Sequence, residues 1–308
     1  MSKIIGIGAN VYDTLITVPY YPDEDTKLRA CGIVQSGGGP CATGLCAASK
    51  LGADCGYIGV LSDDSAGVFL KGDLEKYKVN TDLIEVKMGY NSFSSCIWLS
   101  EKEATRTCVF DKGNLPELKL NDKQRQAICK AEILMIDGNE MNGAIEAAKL
   151  ANDNGVKVLY DAGGLYEGVE KLLPYANILI PSEEFALGHT KASSAEEAAR
   201  ILYEKYKPEI VVITQGKKGG IIYDGEIREY PAFPVDAVDT NGSGDVFHGA
   251  FAFAVTKGFD YYNACIFSSA VSALKCTKIG ARRAVPDYSE TIKFLKERGF
   301  DEFEKNME

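Results

Sequence analysis

The sequence predicts an α/β protein, a mostly parallel sheet covered by helices with a small second sheet attached. Three observations lead there. From Ala131 onward, short apolar runs alternate with helix-like stretches in a regular rhythm, as expected when helices cover a parallel sheet on both faces. Ile4-Ile5-Gly6-Ile7-Gly8 is a further short apolar run and reads as a buried strand. Two segments, roughly 11–36 and 88–114, carry strand and turn signals without helices of their own. A sheet without helices must cover something, so these insertions are expected to form a lid over the strand ends of a single domain spanning 1–308.

Taken in order, Gly6-x-Gly8 resembles the start of a dinucleotide fingerprint. Position 11 is Val, however, and residues 12–18 are strand-like where that motif needs a helix. Residues 19–36 are polar and turn-rich. Gly37-Gly38-Gly39-Pro40 opens a helix to Leu51, followed by a strand at 57–61 and a helix at 65–76. Residues 94–99 and 105–110 read as a hairpin around a charged turn. The regular part then predicts strands at 133–137, 156–161, 178–180 and 210–214. Helices are expected at 142–154, near 167–174 and at 194–206, where Ser194 and Glu197 have capping-box spacing. A hairpin at 221–223 and 227–230 precedes an apolar helix at 246–255, and helices at 261–276 and 287–298 close the chain. Ligands of such sheets gather at the carboxyl ends of strands, where Asp13, Asp137, Ser182 and Thr214-Gln215-Gly216 all fall.

Composition narrows the function. The chain of 308 residues is long enough for a large core. No apolar run reaches bilayer length, and MSKIIGIGAN lacks the long apolar stretch of a signal peptide. A cytoplasmic protein with no membrane partner is expected. The net charge of −10, without a basic block, argues against nucleic acid as a partner. Nine cysteines, none spaced C-x-x-C, read as reduced thiols packed as small hydrophobes. His189 and His248 are the only histidines, too few and too far from the cysteines for a zinc site.

The chemistry concentrates in Asp239-Thr240-Asn241-Gly242-Ser243-Gly244-Asp245, just before the apolar run Val246 to Val255. Small residues at a helix start leave backbone N–H groups open to an anion, and glycines let that anion come close. Asp245 would repel a bound phosphate unless its task is to take a proton from an incoming hydroxyl. The plainer alternative is that Asp239 or Asp245 caps a core helix.

This stretch, extended to Gly249, resembles the second signature of the ribokinase-like (PfkB) carbohydrate kinases. Ser36-Gly37-Gly38-Gly39-Pro40-Cys41-Ala42-Thr43 resembles their first signature, and Thr214-Gln215-Gly216-Lys217-Lys218-Gly219 their nucleotide-binding turn. Ala273-Leu274-Lys275 and Gly280-Ala281-Arg282 extend the likeness to nearly the whole chain. The resemblance implies a three-layer ribokinase-like sandwich and ATP-dependent phosphorylation of a sugar hydroxyl. Asp245 would be the base, and the amides of Gly242, Ser243 and Gly244 would hold the phosphoryl group. It further implies hydroxyl contacts from Asp13, Gly38, Gly39, Thr43, Asp137 and Asn139, and nucleotide contacts from Ser182, Thr214, Gly216 and Gly219. Asp13 as a turn former and Asp137 as a strand-end cap remain the bland readings.

Mg²⁺ should accompany ATP, because an acidic protein needs a counter-ion for the phosphates; its ligands are not assigned. Some relatives hold a monovalent cation such as K⁺ near the residue matching Asp239. Two departures stand out: Thr43 replaces the Asn usual in ribokinases, and Ser182-Glu183-Glu184 replaces the usual Asn-x-x-Glu. Several runs, Tyr230-Pro231-Ala232-Phe233 among them, most resemble sulfofructose kinases, whereas Tyr21-Pro22-Asp23-Glu24-Asp25 and Arg106-Thr107 are similar to ketohexokinases. A fructose-type ketohexose is the expected substrate, with a sulfonated sugar or a nucleoside as alternatives and a non-catalytic sugar sensor as the competitor from another class. Homodimerisation through the lid is expected, because exposed sheet edges invite pairing.

Overall fold

The computed structural model describes residues 3–306 except Ala104 and Tyr166. Its strands in chain order are β1 (Ile4–Ile7), β2 (Val11–Val18), β3 (Gly32–Gly38), β4 (Cys55–Ser62), β5 (Ile84–Lys87), β6 (Ser94–Ser100) and β7 (Thr105–Asp111). They continue as β8 (Ile133–Ile136), β9 (Lys157–Ala162), β10 (Ile178–Pro181), β11 (Ile210–Thr214), β12 (Gly220–Tyr223) and β13 (Ile227–Tyr230). The α-helices are α1 (Pro40–Leu51), α2 (Ser65–Lys76), α3 (Asp122–Cys129), α4 (Met141–Asp153) and α5 (Glu183–Thr190). After them come α6 (Ala195–Tyr206), α7 (Ser243–Thr256), α8 (Tyr261–Cys276) and α9 (Tyr288–Lys296).

The large sheet runs β13-β12-β11-β10-β9-β8-β1-β4-β5 and is parallel except at β12 and β13, the hairpin added to one edge. Successive side chains of a strand point to opposite faces, and β1 shows the consequence. Ile4 joins the core under α1, α7, α8 and α9, while Ile5 and Ile7 join the core under α4 and α6. Between them Gly6 faces α1, where a Cβ would come within 2.6 Å of the Leu45 side chain. The small sheet runs β3-β2-β6-β7, with Asp13 opposite both Ser36 and Ser95.

Several expectations need correcting. The turn-rich stretch 19–36 contains the start of β3, where Ile33, Val34 and Gln35 are exposed in succession, so no alternation of buried and exposed residues appears. The helix expected near 167–174 is two short 3-10 turns, Val169–Lys171 and Leu173–Tyr175. Pro174 lacks the N–H that a continuous α-helix would need there. β5, α3 and α5 have no counterpart among the expected elements; they are four and eight residues long, and α3 is strongly polar. The capping box at α6 is split. Ser194 Oγ accepts from the Glu197 amide at 3.2 Å, but the Glu197 carboxylate accepts from Ser193 N and Oγ at 2.8 Å.

Two helices do most to shape the site. α1 and α7 cross backbone to backbone, for a Cβ on Gly249 would lie 2.0 Å from the Gly44 carbonyl oxygen. Glycine at both positions lets the two amino termini approach one another.

Candidate active site

α7 begins at Gly242, whose φ of 73° lies in the left-handed region and which offers no side-chain cap. A Cβ there would also press within 2.7 Å of the Ala281 Cβ. Asp245 is the third residue of α7, and neither it nor Asp239 is the cap. The capping alternative therefore fails, and the terminal amides stay open. One expected donor does not: the Ser243 N–H turns inward to the Thr240 carbonyl at 3.2 Å. The tight turn that opens the helix uses it up. The amides of Gly242, Gly244 and Asp245 have no acceptor among the described residues. Ser272 Oγ donates to the Ser243 carbonyl at 2.8 Å and pins the turn to α8.

The Asp245 carboxyl is partly exposed and is pushed up to about 7, first by burial, then by the charge of Asp161. His248 and Arg106 pull the other way, and Asp137 adds to the rise. Asp161, at the end of β9, is buried, and its Oδ2 has no hydrogen-bond partner. His248, one turn after Asp245, places Nδ1 2.7 Å from the Gly244 carbonyl and 3.2 Å from Asp161 Oδ2, with Nε2 3.0 Å from the Ile180 carbonyl. Burial pulls its imidazole below the usual histidine value, against those two carbonyls. The sequence shows Asp161 only as the last residue of an expected strand; the same signal marks Asp137.

One cavity, about 540 Å³, lies between the small sheet, α2 and residues 279–283. Asp13 and Asn241 both line it. Asp13 accepts from Ser95 Oγ at 2.7 Å, and burial raises its carboxyl. Gly38 is required beside it, because a Cβ there would meet Asp13 Oδ2 at 1.9 Å. Gly39 caps α1 at φ 90°. Arg106, on β7, donates to Asn241 Oδ1 and so ties the small sheet to the start of α7.

Arg282 is 2% exposed and holds the wall of this cavity together. Its guanidinium donates to Asp73 at 2.7 Å, to Asn10 Oδ1 at 3.0 Å and to the Gly38 carbonyl. Thr43 is buried beneath it, 3.4 Å from Arg282 Nε, and is not in this cavity's lining. Asp137 is likewise turned inward. Its Oδ2 accepts from the Ala9 and Cys41 amides at 2.8 and 3.0 Å, and its Oδ1 from Asn139 N and Nδ2 at 2.9 and 3.2 Å. Four donors fill a carboxylate's capacity. The strand-end cap is thus the role its geometry supports, joining β1, β8 and α1. Asn139 lines a separate cavity of about 170 Å³ with Asn10 and Glu140.

A second large cavity, about 470 Å³, is lined by Thr214, Gly216 and Gly219 together with Thr240, Ser243, Gly244 and Phe247. Phe233, Pro234 and Val235 give it an apolar side. Ser182 is absent from this lining. Its hydroxyl accepts from the Phe185 amide at 3.1 Å as the cap of α5, and its backbone bridges Thr214. The start of α7 therefore walls two cavities, through Asn241 on one side and Thr240, Ser243 and Gly244 on the other.

Asp239 lies outside both. Its Oδ1 accepts from the Asn241 amide and its Oδ2 from the Gly280 amide, each at 2.8 Å. Lys275, 0% exposed, comes up beneath it.

Residues 1–287 match the profile described as pfkB family carbohydrate kinase. Among curated relatives, a ribokinase of Haemophilus influenzae is 29% identical over 94% of this chain and 97% of its own length. A ketohexokinase of Mus musculus is 24% identical over 89% of this chain and 96% of its own. Among solved structures, Arabidopsis thaliana ribokinase complexed with ribose and ATP superposes with a TM-score of 0.86 at 22% identity, covering 96% of this chain and 99% of that one. It shares the fold.

Proposed function

The chain belongs to the pfkB family of carbohydrate kinases, and from that premise we propose that it transfers the γ-phosphoryl group of ATP to a hydroxyl of a fructose-type ketohexose. The observation that carries this reading is the start of α7, which walls one cavity through Asn241 and the other through Thr240, Ser243 and Gly244; Asp245 follows directly and is itself in neither lining. ATP fits the 470 Å³ cavity, its adenine against Phe233, Pro234 and Val235 and its phosphates toward Thr214, Gly216, Gly219 and the helix start. The sugar fits the cavity that Asp13 lines, under the lid formed by the small sheet.

Phosphoryl transfer asks the protein for positioning and charge stabilisation. The amides of Gly242 and Gly244 aim a helix dipole at the transferring group. Asp245, held near 7, accepts the hydroxyl proton as the oxygen attacks. Arg106, reaching from the lid to Asn241, adds positive charge at the same place. Mg²⁺ would travel with the nucleotide, mostly ligated by phosphate and water. Glu183, whose Oε1 accepts from Gln215 Nε2 at 2.7 Å, would be the carboxylate that orients that shell.

A sulfonated ketohexose is the second reading, favoured by Lys76 and Arg283 in the wall of the sugar-side cavity. ADP release with fructose, sulfofructose, ribose and common nucleosides decides between them, run beside Asp245→Asn. Fructose should give the highest kcat/KM, and the variant should bind sugar but lose turnover by about a thousandfold or more. Full activity of Asp245→Asn, or binding of sugar without turnover by the unaltered protein, would sink the proposal.

A further inference from the structure

We infer that the ammonium of Lys275 serves as a built-in monovalent cation for the phosphate-binding turn, so that this kinase needs no K⁺. The inference rests on family membership and not on which sugar is used. Lysine is almost never fully buried unless paired, yet Lys275 is 0% exposed on the last turn of α8. Its Nζ donates to the Asp239 carbonyl at 2.8 Å and to the Asn241 carbonyl, and lies 3.9 Å from Asp239 Oδ1. Two main-chain carbonyls and a carboxylate are hard oxygen donors of the kind an alkali cation would take.

That is the place where the family resemblance implies K⁺, and the residues present do not fit it. The carbonyls of residues 239 and 241 already face a covalently tethered positive charge, and the Asp239 carboxylate is shared between two amides. A second cation at these carbonyls would meet the ammonium at close range, charge against charge. Burial lowers Lys275 from its ordinary value, while Asp239 pulls it back up.

The consequence for catalysis runs through the backbone. Residues 239–241 lead directly into Gly242, and their carbonyl directions set where the Gly242 and Gly244 amides point. Lys275 is thus a positioning residue, holding from below the turn that Ser272 pins from α8. Being part of the chain, it holds the turn at every salt composition.

The test compares K⁺, Na⁺, NH₄⁺ and choline salts at equal ionic strength, reading both turnover and melting temperature. The unaltered protein should show the same kcat and Tm in all four. Lys275→Ala should lose activity on the order of tenfold or more in choline, since a bare carbonyl pair destabilises the turn. It should regain activity in K⁺ or NH₄⁺, with a rise in Tm that the parent does not show. Lys275→Met fills the space without charge and should stay impaired in every salt. Stimulation of the unaltered protein by K⁺ of about threefold or more would overturn the inference, and so would full activity of Lys275→Ala in choline. If Lys275→Ala does not fold, the salt series on the parent and the activity of Lys275→Met decide: a fully active Lys275→Met overturns it. The melting series needs no substrate, so failure to find the sugar leaves this result intact.

Discussion

As the proposed base, Asp245 carries two demands that conflict, and its surroundings bear on both. A base must be ionised to work, yet burial and the neighbouring Asp161 disfavour its charge. A carboxyl held near 7 is a better proton acceptor at neutral pH than an ordinary one, so kcat/KM should rise through a limb near pH 7 as Asp245 ionises. A pH profile that is flat from 5 to 8 would count against the assignment. The same shift has a cost in stability. The folded-state value, about 7, lies above the ordinary 3.8, so the stability tied to this group is full below pH 3.8 and is lost as pH rises through 7. Asp245→Asn should therefore melt higher than the parent at pH 8 and alike at pH 4. The gain is on the order of 2 kcal/mol, reduced from the full shift because the carboxyl is partly exposed. The Gly242–Gly244 turn is legible from spacing as an uncapped helix start, and Asp13 as a charged residue in an otherwise uncharged stretch. Thr43 and Asp137 are not, because a side chain's type does not tell whether it faces a cavity or a backbone amide.

At the scale of elements, the site depends on how α1 and α7 cross. Both helices can be read from the sequence, and so can the glycine-rich stretches that open them. Their contact cannot, because Gly44 and Gly249 are distant in sequence and each alone is merely a small residue in an apolar run. A Cβ on Gly249 would collide with backbone, which cannot rotate aside. Gly249→Ala should force the helices apart and cost ~2–4 kcal/mol, visible as a lower denaturant midpoint at unchanged m-value, with a fall in kcat as the two termini separate. A variant as stable as the parent would show that the crossing yields more easily than its geometry implies. The elements the sequence does not reveal share one trait: β5, α3 and α5 are short, with few buried positions, so no period can establish itself.

For the whole molecule, the small sheet leaves β3 and β7 as free edges. Its outer face brings Ile33, Trp98 and Val109 together at 63%, 37% and 68% exposure. Apolar residues so exposed beside open edges suit a second copy of the chain. We expect a homodimer through the lid, and Trp98→Glu should give the monomer mass by light scattering; a monomeric parent at working concentration would reject the pairing. Among the described residues no helix is long and apolar enough to cross a membrane. All nine cysteines are free thiols; Cys41, Cys46, Cys55, Cys265 and Cys276 are packed inside as expected, but Cys31, Cys96 and Cys108 are exposed.

Sequence alone determined the fold class, the membership of a kinase family and the small-residue turn that opens α7. These rest on local order: hydrophobic period, turn chemistry and contiguous small residues act over a few positions. Only the tertiary structure decided that Asp161 stands beside His248, that Arg282 locks the cavity wall, and that Lys275 lies beneath Asp239. Those arrangements join residues far apart in the chain, and their energies come from burial and charge that exist only once distant strands and helices have packed.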